Sequence, residues 1–159
     1  MQLGQHGIRE FILALEECIN GARDAKRILV MSPYYTHSEG NKMLIELALK
    51  GVEINVLVQK EAWKKGYPIM DQALLFKLNS AGPNVIIKTL DNLHAKIFCI
   101  RHKDLRVDIW DGSANFTKKA DGSIKRPGNP ANIEFIQRSV IRPSLTNEIS
   151  KIWVDGTII

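Results

Sequence analysis

Residues 93–100 read Leu-His-Ala-Lys-Ile-Phe-Cys-Ile, followed at 101–104 by Arg-His-Lys-Asp. A period of two along the first stretch predicts a β-strand with His94 and Lys96 on one face and Ala95, Ile97 and Cys99 on the other. The polar turn at 101–104 and the strand-like residues 105–109 beyond it predict a hairpin. That hairpin decides the fold class, because it makes the sheet mixed rather than purely parallel.

Upstream, Ile8, Phe11, Ile12, Leu15, Cys18 and Ile19 recur at helical spacing and predict an amphipathic helix over 8–23. Residues 27–31 (Arg-Ile-Leu-Val-Met) read as a buried strand stopped by Ser32-Pro33. Met43, Leu44, Leu47 and Ala48 mark a second helix, ending at Gly51 as a left-handed cap. A strand over 52–59, a helix over 69–80 closed by Gly82-Pro83, and a strand over 85–88 follow. This alternation argues for helices packed on the faces of a sheet. Downstream, residues 133–140 read as a strand and 144–153 as a last helix. Residues 117–131 hold Gly122, Pro127, Gly128 and Pro130 without apolar periodicity, which predicts a long loop of the kind that often carries function. The expectation is a single α/β domain over 1–159, with a mixed, mostly parallel β-sheet flanked by helices on both faces.

The chain has 159 residues, 45% of them apolar, enough to bury a sizeable core. A net charge of +5 favours polyanionic partners only weakly, since a Lys-rich soluble surface looks the same. No apolar run approaches the roughly 20 residues a membrane helix needs. The start, Met1-Gln2-Leu3-Gly4-Gln5-His6, is unlike a secretory signal. A cytoplasmic protein without integral membrane association is expected. Cys18 and Cys99 stand in apolar, periodic contexts and read as small buried hydrophobes rather than as a disulfide or metal ligands.

His-x-Lys alone is a weak signal, for a polar strand end looks the same. After the hairpin, however, come Gly112-Ser113-Ala114-Asn115 and, past the loop, Asn132-Ile133-Glu134 opening another strand. Together these segments resemble the phospholipase D superfamily, whose hallmark is His-x-Lys, an Asp after four further residues, Gly-Ser-x-Asn, and an acidic residue on a later strand. Ser32-Pro33-Tyr34-Tyr35 after a strand and Lys-Gly-Val-Glu-Ile-Asn-Val at 50–56 also look like family features, so the resemblance covers nearly the whole chain. One part departs. Arg101 stands where the Asp is expected, and either Asp104 or Asp108 takes its place through a longer hairpin or the role is absent.

The resemblance implies phosphodiester chemistry, and the residue types suit it. Cleavage needs a nucleophile, an acid for the leaving oxygen and donors around the charged oxygens. Neutral imidazole is available near pH 7, so His94 can attack phosphorus and form a covalent phosphohistidine that water then hydrolyses. Lys96, Ser113 and Asn115 offer an ammonium, a hydroxyl and an amide for the nonbridging oxygens. Glu134 looks like the family acid that orients the imidazole, although a surface carboxylate opening a strand would look alike. Asn132 either joins the cradle or only starts its strand. His6, His37 and His102 are expected in loops or at the chain start. In the family the acid is a second histidine from another copy of the motif, and this chain holds one copy, which implies a homodimer. The scheme requires no metal or other cofactor, and Asp108 and Asp111 read as turn formers.

The motif leaves the substrate open among nucleic acids and phospholipids. Lys118, Lys119, Lys125 and Arg126 in the long loop suit flanking phosphates or simply solvate it. Tyr34 and Tyr35 suit base stacking or rim packing. No amphipathic anchor for a lipid surface stands out. The expected function is a metal-independent nuclease acting on DNA or RNA; the alternatives are a phospholipase or phosphatidyl transferase, and a catalytically idle nucleic-acid-binding module.

Overall fold

The computed structural model describes residues 8–60, 71–117, 136–139 and 143–159. Elements follow in the order α1 (Arg9–Ile19), β1 (Ala25–Met31), α2 (Ser38–Leu49), β2 (Glu53–Gln59), α3 (Gln72–Asn79), β3 (Val85–Leu90), β4 (Ile97–His102), β5 (Val107–Gly112), β6 (Ile136–Ser139), α4 (Pro143–Asp155) and β7 (Thr157–Ile158). Along α1, Phe11, Ala14, Leu15 and Cys18 make one buried stripe. The His37 side chain accepts from the Gly40 N–H to start α2, and Asp71 accepts from Leu74 to start α3. After α2, Gly51 takes φ +92°, the left-handed conformation a glycine adopts without steric cost.

The seven strands form one sheet in the order β6-β5-β4-β1-β2-β3-β7. It is mixed, with helices on both faces. Parallel pairing joins β1 to β2 and β2 to β3, where helices make the crossovers. The parallel share is smaller than "mostly", because the short β4–β5 turn forces antiparallel pairing, and β1–β4, β5–β6 and β3–β7 are antiparallel as well.

Strand alternation sends side chains into two cores. Val30, Val56, Phe98, Ile100 and Trp110 meet α1, α2 and α3 on one face. Met31, Leu57, Ile97, Cys99 and Ile109 meet Leu145 of α4 on the other. The first core is stitched by Phe11, whose ring lies 4.9 Å from Phe98 and 5.5 Å from Trp110. Both cysteines are free and buried. Burial pushes the Cys18 thiol up to about 11 and the Cys99 thiol up to about 12, so both are inert near neutrality. No described helix is long and apolar enough to cross a membrane.

Candidate active site

The regular strand begins at Ile97 rather than Leu93, so His94 and Lys96 lie on the segment that leads into β4. Asn92, at φ +56°, ends a turn there, and Leu93 plugs the α4-side core. Asparagine tolerates that conformation better than most residues. His94 is exposed and Lys96 half-buried. Lys96 Nζ donates to the His94 carbonyl at 3.2 Å, and the Lys96 carbonyl accepts from the Gly112 N–H at 3.3 Å. The His-x-Lys segment is thereby fastened to the start of the Gly112–Asn115 turn, at the end of β5.

That turn passes quickly from outside to inside. Gly112 and Ser113 are exposed, whereas Ala114, Asn115 and Phe116 are buried. Phe116 pairs with Tyr35 in a parallel bridge, and its carbonyl accepts from the N–H groups of Thr36 (3.0 Å) and His37 (3.3 Å). Its ring lies 4.8 Å from that of Tyr35 and 5.3 Å from that of His37. Gly40 makes room for it, since a Cβ there would stand 2.5 Å from the Phe116 ring. Ser32, fully buried at the end of β1, touches three groups around the turn. Its Oγ accepts from the Phe116 N–H at 2.8 Å, donates to the Tyr34 carbonyl at 2.6 Å and lies 3.4 Å from Asn115 Oδ1. The sequence marks Ser32 as a strand stop and as the start of the family-like Ser-Pro-Tyr-Tyr stretch, but does not assign it a role beside Asn115; a hydroxyl residue directly after an apolar strand is the available signal.

His94, Lys96, Ser113 and Asn115 therefore gather at one end of β4 and β5. Asn132 and Glu134, and the basic residues Lys118, Lys119, Lys125 and Arg126, lie outside the described residues, as does His6. Several expectations are corrected. Tyr35 does not offer a stacking face: it is fully buried, and its hydroxyl donates to Asn41 Oδ1 at 2.6 Å. His37 is a buried helix cap, and His102 is a buried residue at the end of β4, so neither sits in an open loop. Asp108 and Asp111 are strand residues of β5 rather than turn formers.

Neither candidate replaces the missing Asp near His94. Asp104 sits in the hairpin turn, where the Arg106 backbone N–H and guanidinium bond it and hold its carboxyl below the ordinary value. Asp108 Oδ2 accepts from Arg23 at 2.5 Å and lies 2.8 Å from His102 Nε2. Burial pulls the Arg23 pKa down, but Glu17 and Asp108 outweigh it and raise the guanidinium above its usual value. Arg101 registers against Arg27 and lines a cleft on the α4 face with Cys99, Val107 and Ile149. Four residue steps along the strand, about 13 Å, separate it from Ile97, so position 101 is remote from the Gly112–Asn115 turn.

A family profile described as "Cardiolipin synthase, PLD-like domain" matches residues 15–126. No curated protein matches the chain. Among solved structures, the fold is similar to that of Nuc from Salmonella typhimurium, a phospholipase D family member, with TM-score 0.60 and 19% identity over 92% of this chain and 89% of that one. It is also similar to NucT from Helicobacter pylori, with TM-score 0.65 and 15% identity over 96% and 93% of the two chains. TrmBL2, an archaeal chromatin protein whose structure shows a mode of DNA binding, aligns with TM-score 0.56 and 10% identity over 97% of this chain and 53% of its own. The matched span contains His94, Lys96 and the Gly112–Asn115 turn, and the chain belongs to the PLD-like domain family of the phospholipase D superfamily.

Proposed function

We propose that the protein is a metal-independent phosphodiesterase acting on nucleic acid through a covalent phosphohistidine at His94. The observation that carries this reading is an exposed imidazole beside Lys96, on a segment bonded to the turn that bears Ser113 and Asn115. The His94 imidazole forms a nitrogen–phosphorus bond as the phosphorus–oxygen bond to the leaving group breaks. The leaving oxygen takes its proton from the partner subunit's His94. Water then attacks phosphorus, the nitrogen–phosphorus bond breaks, and the water's proton returns to the partner subunit's His94, which closes the cycle. Lys96, Ser113 and Asn115 surround the nonbridging oxygens, and Glu134 orients the imidazole.

The homodimer follows from proton supply, because one chain carries one His-x-Lys motif. Mixing excess His94→Ala protein with wild type is expected to lower activity below simple dilution as subunits exchange. A fully active monomer on a sizing column contradicts the dimer.

Nucleic acid is favoured by the +5 net charge and by likeness to Nuc, NucT and a DNA-binding chromatin protein. The description of the matched family favours a second reading, phospholipid hydrolysis or phosphatidyl transfer. Incubation with single- and double-stranded DNA, RNA and phospholipid vesicles in EDTA separates the two. Nucleic-acid cleavage with intact lipid is the expected result; cleavage of lipid alone selects the second reading. Binding of DNA without cleavage, unchanged in His94→Ala, would make the protein an idle binding module.

A further inference from the structure

We propose that Ser32 is a positioning residue of the phosphate cradle, holding the Asn115 side-chain amide oxygen-inward so that its nitrogen is presented to a nonbridging phosphoryl oxygen. The inference rests on the phosphodiesterase reading above and adds to it a residue outside the His-x-Lys and Gly-Ser-x-Asn segments.

Ser32 directly follows β1, in a different part of the chain from the turn it serves. Its side chain is fully buried, so each polar contact it makes is formed without competition from water. The Phe116 N–H binds one lone pair of Oγ at 2.8 Å, fixing the peptide that follows Asn115. The hydroxyl hydrogen is shared between the Tyr34 carbonyl at 2.6 Å and Asn115 Oδ1 at 3.4 Å. One hydroxyl thus pins the backbone after Asn115 and faces the oxygen end of its amide. The Ser32 N–H is itself held by the Leu57 carbonyl at 3.0 Å, so the post stands on the central strands of the sheet.

The other end of the amide supplies the second observation. Asn115 is 7% exposed, yet among the described residues its Nδ2 donates to no acceptor. That nitrogen is not sealed from solvent, so it is the end of the amide an anion arriving from outside can reach. A nonbridging oxygen bound beside Lys96 would accept from it and gain from a donor that does not have to reorient during reaction.

The test is a double-mutant cycle on kcat for DNA cleavage, with side-chain amide NMR as an independent readout. Ser32→Ala is expected to lower kcat about 10- to 100-fold while KM stays within about threefold. In an Asn115→Ala background the same substitution should change kcat by less than about twofold, because the group it positions is gone. Losses that multiply in the double variant would overturn the proposal, since a general structural defect acts whether or not Asn115 is present. If Ser32→Ala does not fold, Ser32→Cys fills the same space with a weak hydrogen-bonding group and enters the same cycle under the same criteria. In 15N spectra, the Asn115 amide pair, assigned by its loss in Asn115→Asp, should shift and narrow its splitting in the Ser32 variant. An unmoved pair overturns the positioning role. Wild-type protein that cleaves no phosphodiester, with a pair that moves, sinks the phosphodiesterase reading and leaves the Ser32–Asn115 coupling standing.

Discussion

Two histidines mark the two ends of one strand, and their surroundings differ in kind. His102, at the hairpin end of β4, is 2% exposed and bonded to Asp108, which is in turn bonded to Arg23 and through it to Glu17. His94, on the approach to the same strand, is exposed beside a half-buried lysine. At the hairpin end Asp108 is bonded on both sides, by Arg23 and by His102 Nε2, so its carboxylate is held by the fold, while His102 Nδ1 stays buried without a partner among the described residues. At the other end, the exposed imidazole of His94 stands beside half-buried Lys96 and the turn that carries Ser113 and Asn115. Charge that the protein pairs internally serves stability, whereas an imidazole left facing solvent at a strand end is available to a substrate.

Substitutions at the two ends should therefore fail in different assays. The largest effect is on activity: His94→Ala should lower phosphodiesterase kcat by about 10,000-fold or more and leave Tm within about 1 °C, because the side chain is exposed. His102→Ala should do the reverse, retaining most activity in whatever fraction is folded. The largest effect on stability belongs to Asp108→Ala, which leaves Arg23 and His102 without their shared carboxylate. It should cost about 3 kcal/mol, a fall in Tm of roughly 6–12 °C by thermal unfolding. Equal damage to activity and stability at either end would erase the distinction.

A third prediction concerns Cys99, which lies on β4 between the two histidines. Its folded pKa, near 12, exceeds the ordinary 9.0 because burial disfavours the thiolate. The folded state then holds this proton more tightly than the unfolded chain. The stabilisation is complete below pH 9 and is lost as pH rises toward 12, with a slope of up to about 1.4 kcal/mol per pH unit. Urea unfolding from pH 8.5 to 11 should show a shallower alkaline decline in Cys99→Ala than in wild type, whatever its absolute stability.

The smallest effect is at the hairpin tip. Leu105 takes φ +72°, a conformation costly for a branched side chain, and is 68% exposed. Leu105→Gly should gain about 0.5–1 kcal/mol, after the extra entropy of glycine in the unfolded chain is subtracted, and raise Tm by roughly 1–4 °C.

Legibility in the sequence followed the range of the interactions involved. Period-two alternation around Phe98 and Cys99 and helical spacing from Phe11 to Cys18 report burial directly, so the strands, helices and hairpin were readable. That His94, Lys96, Ser113 and Asn115 lie near one another was readable because they fall in contiguous motifs joined by one hairpin. Asp108 was misread as a turn former because its partners, Arg23 and His102, come from elements that only the fold brings together. Tyr35 beside Tyr34 has no local mark separating a core aromatic from a stacking platform; its burial depends on Asn41 and Phe116. The extent of parallel pairing was overestimated because β1 pairs with β4, a contact set by sheet order and not by any single segment. Ser32 reads in the sequence as a strand stop and as part of the family-like Ser-Pro-Tyr-Tyr stretch, but its bonds to Asn115 and Phe116 join segments more than 80 residues apart and show only in the fold.

The central claim is that His94, and not the internally paired His102, takes up phosphorus. The direct measurement is to mix protein with DNA in EDTA, quench during turnover in alkali, where phosphohistidine survives, and map the adduct by peptide mass spectrometry. The account predicts a nucleotide fragment on the peptide carrying His94, absent from His94→Ala. Cleavage with no adduct at any time point, or an adduct on His102, would contradict it.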